Sequence, residues 1–364
     1  MTKRVYNFTA GPAMLPMAVL QRVREELYDF QGLGASILEI SHRSPEFEKL
    51  LKETEQLFRE LMDVPKNYKV VFCHGGGQMQ FAMVPLNLMG LKPAHTALYA
   101  VTGNFSERAA EEAARYGKVA IVSNSQPTGH DRIPPLDVAA MDPAASYLHI
   151  TTNNTIMGTR YQSFPDMNGI PLVGDATSEI LSRVMDVRKF GLLFAGAQKN
   201  VGPAGFAVAI VREDLLNHAH PLTPKLLNYT QLAKDGSLTN TVNTFSIYVG
   251  RLMLEWLKNE GGVAAIEKLN DKKAAIVYGA IDRSQGFYRG HAVKEYRSTM
   301  NVTFFLPSPE LLAKFLQDAN AAGLYALKGH SRLGGVRASI YNAMPLEGAQ
   351  ALSAFMEEFQ RRHG

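Results

Sequence analysis

One cysteine, Cys73, stands alone in a chain of 364 residues. It has no partner for an internal disulfide, which suits a reducing compartment. No stretch stays apolar for the roughly 20 residues that a membrane-crossing helix needs. The start, Met1 to Phe8, has no apolar core of signal-peptide length, so the expected location is cytoplasmic. Charge of one sign is scarce as well. Lys and Arg number 38 against 34 Asp and Glu, with no basic run beyond Arg361-Arg362. A dedicated nucleic-acid binder carries a concentrated basic face, so neither nucleic acid nor membrane is expected as a partner. Nucleotide fingerprints are missing, since neither G-x-G-x-x-G nor G-x-x-x-x-G-K-[ST] occurs. Metal-ligand spacing reduces to His218-Ala219-His220 in a polar, Pro-flanked loop, and no metal site is expected.

What is present is ordinary globular material, 46% hydrophobic and 20% charged, long enough for a full core and two domains. There is no internal repeat. Thr9-Ala10-Gly11-Pro12 reads as a turn crossing between parts of the fold. Ser44 is an expected N-cap for a one-sided helix over 45–62, with Phe47, Leu50, Leu51, Phe58 and Leu61 on its apolar face. A buried strand over 68–73 follows, then His74-Gly75-Gly76-Gly77 and a helical pattern over 78–89. Strands are expected over 96–101, 119–122, 147–151 and 171–174, and a helix over 106–116. The alternation argues for an α/β core with a mostly parallel sheet, whose ligands bind beyond the carboxyl ends of the strands. From 245 to 281 the pattern is helical, broken at Gly261-Gly262. Strand, helix, strand and helix over 301–306, 309–321, 336–341 and 346–361 then suggest a smaller α+β domain.

The residues that can carry chemistry lie at those strand ends. Lys199 sits in Ala197-Gln198-Lys199-Asn200-Val201-Gly202 between two apolar runs, Leu192–Phe194 and Phe206–Val211. Burial is costly for an ammonium, so such a lysine must find a partner, lose its proton or react. Gly196, Gly202 and Gly205 are expected to let a bulky group approach the backbone. Asp175 ends a strand, where a carboxylate can keep a pyridine nitrogen protonated. Gly76, Gly77 and Gln78 open a helix whose free N–H groups favour a phosphate. Phe105 can lie flat on a ring. Together these converge on pyridoxal phosphate (PLP). Each has an ordinary alternative: a surface lysine, a helix-capping Asp, a flexible Gly turn, a core aromatic. Two basic clusters, His42-Arg43 and Lys328 to Arg337, suit an anionic substrate or else surface ion pairs.

The whole chain resembles the phosphoserine aminotransferase family, in the class V branch of fold-type I PLP enzymes. The likeness rests on Ala10-Gly11-Pro12-Ala13-Met14-Leu15-Pro16, Glu39-Ile40-Ser41-His42-Arg43, Phe72 to Gly77, Gly196-Ala197-Gln198-Lys199-Asn200 and Arg337 to Pro345. It implies a large PLP domain over 17–262 with a mostly parallel seven-stranded sheet, and a smaller α+β domain from 1–16 and 263–364. By the same resemblance, Lys199 matches the Schiff-base lysine and Asp175 the pyridinium partner. Thr155 matches the donor to the ring 3-oxygen, and Gln198, Gly77 and Gln78 match cofactor-phosphate ligands. Asn240 and Thr241 match a pair reaching the neighbouring subunit's cofactor, so a homodimer with shared active sites is implied. Arg337 matches the arginine for the α-carboxylate, and His42, Arg43 and His330 match residues around the far acidic group. The implied reaction exchanges the amino group of glutamate with 3-phosphohydroxypyruvate in serine biosynthesis, with related phosphorylated 2-oxo acids of vitamin B6 synthesis sharing the site.

Three positions depart from the family. Phe105 stands where a stacking tryptophan is usual. Gln78-Met79 replaces a pair that often contains arginine. His330-Ser331-Arg332 replaces His-Arg-Ser or His-Arg-Val, displacing the expected arginine by one place. Neighbouring side chains in an extended loop point to opposite sides. If the loop bends, Arg332 restores the phosphate contact; if not, an aminotransferase for a non-phosphorylated substrate is the alternative. A desulfurase is a further class on this scaffold, but it needs a mobile nucleophilic cysteine, and Cys73 is expected to be buried.

Overall fold

The apolar runs become seven strands of one sheet in the computed structural model, which describes residues 4–364. Residues 1–3, the head of the expected smaller domain, lie outside the described residues. Across the sheet the order is Tyr68–His74, Phe206–Arg212, Leu192–Gly196, Leu172–Asp175, Leu148–Thr151, Thr96–Val101 and Lys118–Asn124. Phe206–Arg212 runs against both neighbours, and the remaining pairs are parallel. The helices are α1 (Met17–Glu26), α2 (Pro45–Leu61), α3 (Gly77–Leu88), α4 (Asn104–Ala113), α5 (Tyr229–Lys234), α6 (Thr244–Asn259), α7 (Gly262–Asp282), α8 (Pro309–Ala321) and α9 (Leu346–His363).

Successive strand side chains face opposite layers. Val70 and Phe72 enter one apolar cluster with residues of α1, α2 and α6; Val71 and Cys73 enter another with residues of α3, α4 and α5. Leu193 and Ala195 part from Leu192 and Phe194 in the same way. Both faces of the central strands are therefore covered, which is why those strands read as unbroken apolar runs, whereas the edge strand Lys118–Asn124 is mostly exposed. A third cluster, around Phe304, Phe315 and Phe359, joins α7, α8 and α9 to an antiparallel sheet of Arg289–Gly290, Asn301–Phe305 and Val336–Ser339.

Local signals set the helix ends. Ser44 Oγ accepts from the Phe47 N–H at 3.2 Å and caps α2. Gly261 and Gly262 hold φ of 94° and 77°, which ends α6 and starts α7 within the long helical pattern. The helix expected over 106–116 instead spans Asn104–Ala113. Ser106 Oγ reaches back to the N–H groups of Thr102 and Gly103, so it works inside the first turn rather than as a cap. The N-terminal segment crosses the molecule as its turn suggested: Tyr6–Asn7 pairs with Leu324–Tyr325, and the Ala13 N–H donates to the Gln198 carbonyl at 2.9 Å. Among the described residues no helix is long and apolar enough to cross a membrane.

Candidate active site

A cavity of about 220 Å³ opens at the carboxyl ends of the parallel strands. A water molecule takes about 30 Å³ of liquid, so the space suits a small organic molecule. Lys199, Asp175, Gly77, Gln78, Phe105, Thr155, Gln198, His330 and Arg337 all line it. Lys199 is only 6% exposed, and its Nζ donates to Thr155 Oγ1 at 2.7 Å. The same nitrogen lies 5.8 Å from the Phe105 ring centre and 6.0 Å from that of Tyr341. Burial pushes the amine down to about 7; Asp175 opposes this shift and Arg337 adds to it. Lys199 is thus poised between ammonium and free amine.

Asp175 is 5% exposed at the end of its strand and accepts from the Thr177 N–H at 3.0 Å. Burial raises its pKa, against the hydrogen bonds from Thr177 and the charge of Lys199. A buried carboxyl of this kind gains most from a cation set against it. Close to Thr177, α3 begins at the cavity-lining Gly77 with no side-chain cap, so its first N–H groups lack a capping partner. A methyl group added at Gly196 would meet the Gly77 nitrogen at 2.7 Å and Gln198 Oε1 at 2.6 Å. The expectation that the three glycines around Lys199 admit a ligand is corrected here. Gly196 admits the α3 turn, Gly202 faces Gly250 and Gly205 faces Asn243, so protein atoms take the space.

Several cavity groups have no partner among the described residues. Thr151 Oγ1, Asn153 Oδ1 and Arg337 Nε are buried without a hydrogen bond. No carboxylate lies within 4.0 Å of the Arg337 guanidinium among the described residues, although burial lowers its pKa. An arginine in that position calls for an anion. Together with the uncapped α3 turn, the Asp175 carboxyl and the Lys199 amine, these orphaned groups fit a phosphorylated pyridine aldehyde and an amino-acid carboxylate.

The displaced arginine points elsewhere. Arg332 is not part of the cavity lining; it pairs with Glu107, and the Asn104 side-chain amide, turned so that its oxygen accepts, lies 3.0 Å from the guanidinium. Its backbone N–H donates to His330 Nδ1 at 3.1 Å. Burial lowers the His330 pKa, helped by the charges of Arg337, Arg108 and Arg332. His42, Arg43, Asn240 and Thr241 also lie off this cavity. His42 Nε2 is buried without a partner, and Asn240 Oδ1 sits 2.5 Å from His74 Nε2. Sequence reasoning missed Thr177, Ser178 and Tyr341. Thr177 follows Asp175 by two, a spacing that suits an N–H reaching back to a carboxylate, whereas nothing local marks Tyr341. Cys73 is buried at 2% exposure with its thiol pushed up to about 12, far from the reactive thiolate a desulfurase needs.

A family model described as Aminotransferase class-V matches residues 5–352. The phosphoserine aminotransferase of Herpetosiphon aurantiacus is 48% identical over 360 residues, covering 99% of both chains. Among solved structures, the phosphoserine aminotransferase from Bacillus circulans subsp. alkalophilus superposes with a TM-score of 0.96 at 43% identity, covering 99% of each chain. A PLP-bound phosphoserine aminotransferase from Trichomonas vaginalis does so with a TM-score of 0.93 at 36% identity, over 97% of this chain and 100% of that one.

Proposed function

Because the chain belongs to the class-V aminotransferase family, we propose that it is a PLP-dependent phosphoserine transaminase of serine biosynthesis. It exchanges an amino group between phosphoserine and 2-oxoglutarate, giving 3-phosphohydroxypyruvate and glutamate. The observation that carries the reading is the buried Lys199 amine, set in one cavity with Asp175, the open α3 turn and an arginine lacking a carboxylate. PLP, when bound, supplies an electron sink that lets an amino acid lose its α-hydrogen as a proton.

The chain's own residues do the rest. Gly77, Gln78 and Gln198 hold the cofactor phosphate, Asp175 keeps the ring nitrogen protonated, and Thr155 meets the ring oxygen. Phe105 offers a ring face for stacking. Arg337 binds the α-carboxylate as a fork and orients the α-hydrogen towards Lys199. Lys199 Nζ, its pKa lowered by burial, takes that proton as general base and returns it as general acid. His330 and the charges around it favour an acidic tail.

The working unit in this reading is a cytoplasmic homodimer in which Asn240 and Thr241 reach the other subunit's cofactor, and His42 and Arg43 the substrate tail. The assignment of 17–262 to a larger domain, and of 1–16 with 263–364 to a smaller one, is supported by the separate apolar cluster of the C-terminal sheet. A non-phosphorylated substrate is not favoured by the relatives. Purified protein supplied with PLP and 2-oxoglutarate should form glutamate from phosphoserine at least about 100-fold faster, by kcat/KM, than from serine. Equal use of serine would refute the phosphorylated substrate.

A further inference from the structure

Two lysines are buried among the described residues, Lys199 and Lys273, and the proposed chemistry uses only the first. Lys273 lies on α7 at 0% exposure, with no carboxylate of the described residues within 4.0 Å. Its Nζ instead donates to three backbone carbonyls, those of Ile340 at 3.1 Å, Tyr341 at 2.8 Å and Met344 at 3.0 Å. Carbonyl oxygens only accept, so three of them around one nitrogen require the three N–H donors of an ammonium. Burial pushes Lys273 down to about 7, while the three acceptors favour the charged form.

Such an ion is expensive unless the carbonyls it gathers matter. A methionine would fill the same space but leave three buried carbonyls without this donor. The gathered turn joins the strand that carries Arg337 to α9. Tyr341 sets its ring centre 6.0 Å from Lys199 Nζ, and its hydroxyl donates at 3.1 Å to the carbonyl of Ala10, which lines the cavity. The Asn342 N–H donates to Asn200 Oδ1 at 3.0 Å, beside Lys199. One turn earlier on α7, Asn270 donates to Asn342 Oδ1 at 2.9 Å. One face of α7 therefore grips a turn whose other side touches the reactive lysine and its neighbour.

We propose that Lys273 is a positioning residue of the active site: its ammonium gathers the carbonyls of Ile340, Tyr341 and Met344 and so sets Tyr341 and Asn342 against the Lys199 segment. The kinetic part of its test rests on the transaminase reading; the backbone part does not. Holoenzyme carrying Lys273→Met is compared with wild type by hydrogen exchange, by steady-state kinetics on phosphoserine and by the absorbance of bound PLP. Exchange over 340–344 should quicken at least about tenfold, with the strand Tyr68–His74 unchanged. The kcat per bound cofactor should fall about tenfold or more, KM should move less than about threefold, and the cofactor absorbance should shift. Wild-type kcat and absorbance with only a lower melting temperature would show a purely structural lysine and overturn the proposal. Should Lys273→Met fail to fold, Lys273→Gln, which keeps an amide donor, is judged by the same criteria. If wild type itself does not use phosphoserine, the substrate assignment fails, while the exchange result still decides the clamp.

Discussion

Lys199 and Asp175 share a cavity in which burial presses each towards its neutral form. An amine attacks an aldehyde only when unprotonated. In cofactor-free protein, the rate of PLP capture should therefore rise as pH rises through about 7 and level off above it. Stopped-flow absorbance at a series of pH values checks this, and a rate still climbing towards pH 10.5, the ordinary lysine value, would contradict it. Asp175→Asn removes the charge held against the ring nitrogen and should slow the half-reaction with glutamate by orders of magnitude, read as the single-turnover loss of the cofactor band. The two arginines separate by their partners. Arg337, without a carboxylate, should matter for every substrate, and Arg337→Ala should cost about 100-fold or more in kcat/KM on phosphoserine and glutamate alike. Arg332 is committed to Glu107 at a half-exposed pair, which is worth about 0–1 kcal/mol. Arg332→Ala should then cost less than about fivefold on phosphoserine; a loss matching that of Arg337→Ala would show that Arg332 swings into the site.

At the scale of elements, α2 depends on one cap. Ser44→Ala should lower stability by about 1 kcal/mol in urea unfolding, since the Phe47 N–H loses its acceptor. No change in the midpoint would mean that the cap is replaced by water at no cost. The central strands were legible because both of their faces are buried, and the break at Gly261-Gly262 because two adjacent glycines there take positive φ. α5 was not, being only 6 residues long, too short for a periodic pattern. The start of α4 was hidden because its N-cap is Gly103, which offers no capping side chain, while Ser106 accepts from inside the first turn. Lys199 and Asp175 were legible as polar residues at the ends of apolar runs. Tyr341 and the Arg332–Glu107 pair were not, because the fold sets Tyr341 beside Lys199, and draws Arg332 off the cavity to Glu107, across more than a hundred residues of sequence. The glycines beside Lys199 were misread because the space above them is filled by Gln198, by the start of α3, and by Asn243 and α6.

For the whole molecule, His42, Arg43, Asn240 and Thr241 lie off their own chain's cavity, and the proposed shared-site homodimer would bring them to the other subunit's. Mixing two inactive variants, Lys199→Ala and the double change Asn240→Ala with Thr241→Ala, then tests the assembly. After subunit exchange, roughly a quarter of the sites should combine intact residues from both chains and regain activity. No recovery in a mixture shown to contain mixed dimers would contradict shared sites. The account as a whole stands on one amine, because Lys199 and Lys273 are both buried and both pushed down to about 7. Holoenzyme reduced with borohydride, digested and mapped by mass spectrometry shows which lysine carries the cofactor. The prediction is one cofactor per chain, on Lys199; a label on Lys273, or on no lysine, would contradict it.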